Sequence, residues 1–169
     1  MLGIIFFIIL MLFFLALIIS ILYLAQGAPF VRSDPETIKA IIHAAKIKKG
    51  VKAADLGSGE GQIVIALAKA GAEAHGYEIN PMLVLKSRKA IKKAGLEKSA
   101  FIHWQSLWKA DLSGFDIITL YGIQHIMDKM QEKLQKELQP GARIVSNYFV
   151  FKKWKSSFEE GRVHVYVQD

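Results

Sequence analysis

The sequence predicts an α/β domain, a mostly parallel sheet flanked by helices, preceded by one transmembrane helix. Three observations predict it. The first 31 residues contain no Asp, Glu, Lys or Arg, so all 22 basic and 15 acidic side chains of the 169-residue chain lie in residues 32–169. Within that charged part, short apolar runs alternate with amphipathic stretches, the pattern of parallel strands joined by crossover helices. A glycine-rich turn, Asp55-Leu56-Gly57-Ser58-Gly59-Glu60-Gly61, sits where the first strand should meet its helix. The division is an anchor over residues 1–26 and one domain over 27–169.

The run Ile4 to Leu24 carries only Ser20 and Tyr23 as polar side chains. About 20 apolar residues at helical rise span a bilayer core, and Tyr23 stands near one end, where an aromatic ring favours the interface. A cleaved signal peptide is the rival, with Ala25-Gln26-Gly27-Ala28 offering small residues. The run is longer than the usual apolar core of about 7–15 residues, and nothing basic precedes it. Arg32, Lys39, Lys46, Lys48 and Lys49 follow the span. Positive charge concentrates on the cytoplasmic side, so the domain is expected to face the cytoplasm.

Gly27-Ala28-Pro29-Phe30 breaks the chain after the anchor. Ser33-Asp34-Pro35-Glu36 reads as a helix start, with Ser33 or Asp34 capping and Pro35 in the first turn. That helix runs to about Lys46, with Ile38, Ile41, Ile42 and Ala45 on one face. Val51–Leu56 is a strand, Gln62–Ala70 a buried helix and Ala72–Tyr77 a second strand. Pro81–Ala94 is a helix and Ala100–Trp104 a third strand. Phe115–Tyr121 is continuous and apolar, like a strand covered on both faces. Ile126–Leu138 is an amphipathic helix; Ala142–Tyr148 and the alternating Arg162–Gln168 are the last strands.

Composition bounds the chemistry. Cysteine is absent, which removes disulfide frameworks and thiolate metal sites and fits a cytosolic location. His43, His75, His103, His125 and His164 are scattered without metal-ligand spacing, so no metal is expected. The net charge is +7, but Lys46-Ile47-Lys48-Lys49, Lys92-Lys93 and Lys152-Lys153 read as solvated faces. No basic run is interleaved with aromatics as a stacking groove for nucleic acid requires.

The glycine turn carries the chemistry. Glycines turn the backbone tightly and let a ligand approach without a Cβ in the way. The spacing is G-x-G-x-G rather than the G-x-G-x-x-G of dinucleotide binders. Asp55, two residues before the first glycine, would sit poorly with a pyrophosphate and suits a ligand bearing an ammonium group. Glu78 ends the second strand, 21 residues after Gly57, where an acid is placed to accept both ribose hydroxyls. As a strand-tip acid it reads as solvent-facing in the empty site, so Glu78→Ala is expected to weaken binding with little loss of fold. Gly57→Val is expected to damage both, by blocking the turn.

These residues resemble the Rossmann-like class I S-adenosylmethionine-dependent methyltransferases. The closer likeness is to the membrane-anchored lysine methyltransferases of the mitochondrial ATP synthase c-subunit and of the adenine nucleotide translocase, with their prokaryotic relatives. It rests on the amino-terminal span, Pro29-Phe30-Val31-Arg32-Ser33, the Asp55–Gly61 loop and Gly76-Tyr77-Glu78-Ile79-Asn80-Pro81. It extends through Leu107-Trp108-Lys109, Tyr121-Gly122-Ile123, Lys133-Leu134-Gln135-Lys136-Glu137-Leu138, and Phe149-Val150-Phe151 ahead of Trp154. The resemblance implies S-adenosyl-L-methionine as cofactor and a protein substrate. Asp55, Gly57, Ser58, Gly59 and Gly61 would hold the methionine end, Glu78 the ribose, and Gln105 and Ser106 the adenine, with Asn80 also among the cofactor-binding residues. Ser33 would close the pocket, and Tyr121 with Gly122 would line the approach of the acceptor amine. Relatives often carry a second Pro where Arg32 stands, and extend the segment after Trp154 further.

The transferable methyl on sulfur is already activated, so alignment of donor and acceptor supplies most of the acceleration. A lysine acceptor must first lose a proton, which an apolar site favours; no residue stands out as the base. Three readings stay open: a protein-lysine methyltransferase, a methyltransferase for a lipid or lipophilic quinone-like molecule, and a membrane-tethered cofactor-binding module without turnover. The acceptor's identity and the oligomeric state are not legible.

Overall fold

The computed structural model of the chain describes residues 2–26, 32–122 and 124–169. The Gly27–Phe30 breaker, Val31 and Ile123 of the motifs above lie outside the described residues, as do the side chains of Ser20, Tyr23 and His125.

Helix α1 covers Leu2–Gln26 without a charged residue. Its described side chains, Gly3–Leu15 with Leu17 and Ile18, are exposed. That stretch alone is shorter than the roughly 20 residues of a bilayer crossing, and among the described residues no helix is long and apolar enough to cross a membrane.

The domain holds one seven-stranded sheet in the order β3-β2-β1-β4-β5-β7-β6. Strands β1 (Lys52–Leu56), β2 (Glu73–Glu78), β3 (Ala100–Trp104), β4 (Ile117–Leu120) and β5 (Arg143–Asn147) are parallel. β7 (Val163–Val167) runs antiparallel to β5, and β6 (Phe158–Glu160) antiparallel to β7. The expected strands are all present. β6 is the addition: its three residues are exposed and polar apart from Phe158, so it carries no apolar alternation and exists through its pairing with β7 alone.

Helices α2 (Pro35–Ala45), α3 (Gln62–Lys69) and α4 (Pro81–Lys93) pack Ile41, Val64, Leu67, Val84 and Ile91 into one core. On the other face α5 (Gln124–Glu137) packs Met127, Met130 and Leu134 against Leu56, Ile118, Ile144 and Tyr166. All four residues of β4 are buried, as its unbroken apolar run requires of a strand covered on both sides. Helix α2 is capped by Asp34 rather than Ser33: its side chain accepts from the Thr37 N–H at 2.8 Å.

Candidate functional site

Register brings the chemistry to one edge. Leu56, Tyr77 and Leu120 stand side by side on β1, β2 and β4. The next residue of each strand, Gly57, Glu78 and Tyr121, therefore emerges with the other two at the carboxyl ends of the strands. In open α/β sheets that edge, between strands whose connections leave in opposite directions, is where ligands bind.

Asp55 is 3% exposed. Its partners in register are Gly76 on β2 and Thr119 on β4. The place a Cβ on Gly76 would take is filled by the Ser58 and Ile102 side chains, and the Thr119 hydroxyl donates to Asp55 Oδ1 at 2.7 Å. Burial pushes the Asp55 carboxyl up to about 7; the Thr119 hydrogen bond opposes the rise and the negative charge of Glu78 adds to it. A buried carboxyl of this kind is poised to ionise when a cation arrives.

The turn after it is held by backbone. The Gly57 and Ser58 N–H groups both donate to the Tyr77 carbonyl, at 2.9 and 3.0 Å, and Gly61 N–H donates to the Ser58 carbonyl at 2.8 Å. Gly57, Gly59 and Gly61 have φ of 85°, 52° and 80°, which side chains other than glycine adopt at a cost. A Cβ on Gly57 would meet nothing within 4 Å, whereas one on Gly61 would lie 2.9 Å from Ser87 Cβ. Gly57 is therefore required by conformation and leaves open space, while Gly61 is required by both conformation and packing. A β-branched residue at Gly57 would fail on its backbone angle, not by blocking the turn.

Glu78 departs from its expected setting. It is 8% exposed, not solvent-facing. Its Oε2 accepts the Gly59 N–H at 2.9 Å and its Oε1 accepts the Asn80 N–H at 2.8 Å. The carboxylate ties the glycine loop to the turn that starts α4. Each oxygen keeps a second lone-pair direction for a ligand hydroxyl. Asn80 caps α4, its Oδ1 accepting from Met82 N–H at 2.9 Å. Ser58 is buried with its Oγ unpartnered, and a Cβ on Gly76 would fall 2.6 Å from that Oγ. The hydroxyl is thus turned in against β2.

Gln105 and Ser106 come directly after β3 at the same edge and are half-buried. Gln105 N–H donates to the Glu78 carbonyl at 3.0 Å and its Nε2 to the Lys109 carbonyl at 2.8 Å, which leaves its Oε1 for a ligand donor. Ser106 Oγ caps the short turn Leu107–Lys109. Trp108 lies under the Lys129 ammonium, 4.9 Å from the ring centroid. Ser33 is half-buried immediately ahead of the α2 cap. A cleft of about 420 Å³ opens beside it, between the start of α2 and the β6–β7 turn, lined by Asp34, Glu36, Thr37, Glu160 and Arg162 among others. None of residues 55–61 nor Glu78 lines that cleft, so its size is no guide to the chemistry.

Tyr121 is half-buried, its ring edge-on to Phe149 at 5.7 Å. A Cβ on the following Gly122 would lie 2.5 Å from Met127 Sδ; this glycine lets α5 approach the end of β4. Sequence reasoning did not single out Thr119. A threonine in an apolar strand is ordinary, and only the register of β4 on β1 reveals its aspartate.

Residues 55–158 match the ANTKMT methyltransferase domain family. The chain is 35% identical over 133 residues to the lysine N-methyltransferase of the ATP synthase c-subunit from Mus musculus, covering 79% of this chain and 53% of that protein. It is 30% identical over 128 residues to a protein-lysine N-methyltransferase of Saccharolobus islandicus, covering 75% and 80%. Among solved structures, a Salinibacter ruber protein described as an RNA methyltransferase, bound to S-adenosyl-L-homocysteine, superposes with a TM-score of 0.76 at 30% identity, covering 82% of this chain and 92% of that one. The chain spans about half the length of the mouse relative. With its sheet order, its glycine turn and its two strand-end carboxylates, the chain belongs to the ANTKMT methyltransferase domain family and has the Rossmann-like class I methyltransferase fold.

Proposed function

We propose that the chain is an S-adenosyl-L-methionine-dependent protein-lysine N-methyltransferase held at a membrane by α1. The observation that carries the reading is the pair of buried carboxylates flanking a glycine turn. Asp55, desolvated and faced by Glu78's like charge, fits the ammonium of a methionyl group. Glu78, its oxygens each half-used by backbone N–H groups, fits a vicinal diol. The open space beside Gly57 admits a ligand backbone between them. When bound, the cofactor supplies a methyl group activated on sulfur.

This chain's residues then have three tasks. Asp55 and Glu78 fix the two ends of the donor, and Thr119 holds Asp55. The loop glycines and the half-buried Gln105 and Ser106 enclose it. Tyr121 lines the side from which the acceptor enters. Alignment of this kind can account for most of the acceleration of a displacement whose donor needs no further activation.

Lysine as acceptor is supported by the mouse and Saccharolobus relatives, named as lysine methyltransferases. The Salinibacter relative, described as an RNA methyltransferase, favours a second reading with RNA as acceptor. Membrane attachment is supported by the composition of α1, which carries no charged residue and whose described side chains are exposed. The basic residues beyond it favour a domain facing the cytoplasm.

The decisive experiment compares cells with and without the chain by mass spectrometry of membrane proteins. Methyl-lysine sites that depend on the chain and vanish in an Asp55→Asn variant are the expected result. Label from tritiated cofactor passing instead into RNA or lipid overturns the lysine assignment. Recovery of the full chain in the soluble fraction overturns the anchor.

A further inference from the structure

Ten described residues have positive φ, and eight of them are glycine. Of the two others, Lys46 ends α2, a usual place for a left-handed residue. Tyr148, at φ 76°, ends no helix. It comes directly after β5, where Asn147 is buried, and its N–H donates to the Arg162 carbonyl at 2.6 Å. A bulky aromatic in this region is an outlier, and glycine would occupy it without strain. Strain retained at a sheet's ligand-binding edge points to a side chain needed there.

The ring is 53% exposed and belongs to a group. Tyr148 and Phe149 lie 4.9 Å apart between centroids, and Phe149 meets Tyr121 edge-on at 5.7 Å. Tyr121 lies two residues beyond Thr119, which holds Asp55. The three rings thus line the ends of β4 and β5, beside the donor site over β1 and β2. Tyr148 already attracts a cation: the Arg162 guanidinium carbon stands 5.5 Å from its centroid. Aromatic faces of this kind hold alkylammonium groups through the ring quadrupole and pack their methylene stems.

We propose that Tyr148, with Phe149 and Tyr121, determines acceptor specificity by receiving the cationic end of the acceptor side chain on its ring. The inference rests on the lysine reading, since it assigns that reading's acceptor a residue. It is also testable without turnover. The full chain, saturated with S-adenosyl-L-homocysteine, is titrated by NMR with n-butyltrimethylammonium, the head of a methylated lysine, and with neutral neohexyl alcohol as control. The wild type and Tyr148→Phe are expected to bind the cation in preference to the alcohol. Tyr148→Gly, which relieves the backbone, is expected to bind it about tenfold more weakly while keeping its affinity for the demethylated cofactor. Equal cation binding by Tyr148→Gly and wild type, no preference for the cation in the wild type, or parallel loss of both ligands overturns the proposal. If the cation binds as expected but no lysine in the membrane proteome depends on the chain, the lysine reading falls and the aromatic site stands.

Discussion

Glu78 is the sharpest test of how the site is built, because its carboxylate supports the glycine loop as well as facing the ligand. Glu78→Ala removes the acceptor of the buried Gly59 N–H and of the Asn80 N–H. An orphaned buried donor costs about 1–3 kcal/mol and a part-buried one about 0.5–1.5 kcal/mol. The ligand-free protein should lose about 2–4 kcal/mol, a fall in Tm on the order of 5–15 °C for a domain of this size. Glu78→Gln keeps one carbonyl oxygen but turns an amide toward the other N–H, so about half that loss is expected. Two ligand hydroxyls losing a charged acceptor adds roughly a hundredfold weakening toward S-adenosyl-L-homocysteine. Thermal unfolding of the full chain in detergent micelles, without and with that ligand, separates the two contributions. A ligand-free Tm for Glu78→Ala within about 1 °C of wild type would refute the loop-tying role.

The same geometry makes four further outcomes testable. Burial holds the Asp55 carboxyl protonated up to about pH 7 in the free protein; since the cationic ligand needs the ionised form, affinity measured by calorimetry should rise with pH between about 6 and 8, and Asp55→Asn should abolish that slope. The same group is ionised in the unfolded chain above its ordinary value near 3.8, so its contribution to stability fades as pH climbs from there through about 7, and Asp55→Asn should raise the ligand-free Tm at pH 8 even as binding is lost. Thr119→Val removes the hydroxyl that favours Asp55's charged form, and should displace the pH midpoint of binding upward; an unmoved midpoint would show that the hydroxyl is not tuning the acid. Gly57→Ala pays only for its backbone angle, about 1–2 kcal/mol, whereas Gly61→Ala adds a 2.9 Å clash with Ser87 and should cost about 1–3 kcal/mol more; equal unfolding midpoints in denaturant would contradict the packing account.

Much of this chain was legible one residue at a time. The uncharged first segment, the Pro35 and Pro81 helix starts, the apolar run of β4 and the glycine turn are local signals, because period, capping and backbone freedom act within a few residues. Asp55 and Glu78 were recognisable as a pair because their separation along the chain reflects a single strand–helix–strand unit. Their surroundings were not. That Glu78 is buried and committed to two backbone N–H groups, that Thr119 stabilises Asp55, and that Ser58 turns its hydroxyl toward Gly76 depend on which strands lie side by side. β6 and the strained Tyr148 were equally hidden, since each is held by pairing with a segment beyond the reach of local patterning. The sequence by itself determined which elements form and which chemical groups reach the strand ends. Tertiary structure alone decided their burial, hence their proton affinity and spare hydrogen-bonding capacity, because desolvation is a property of everything packed around a group and is written at no single position.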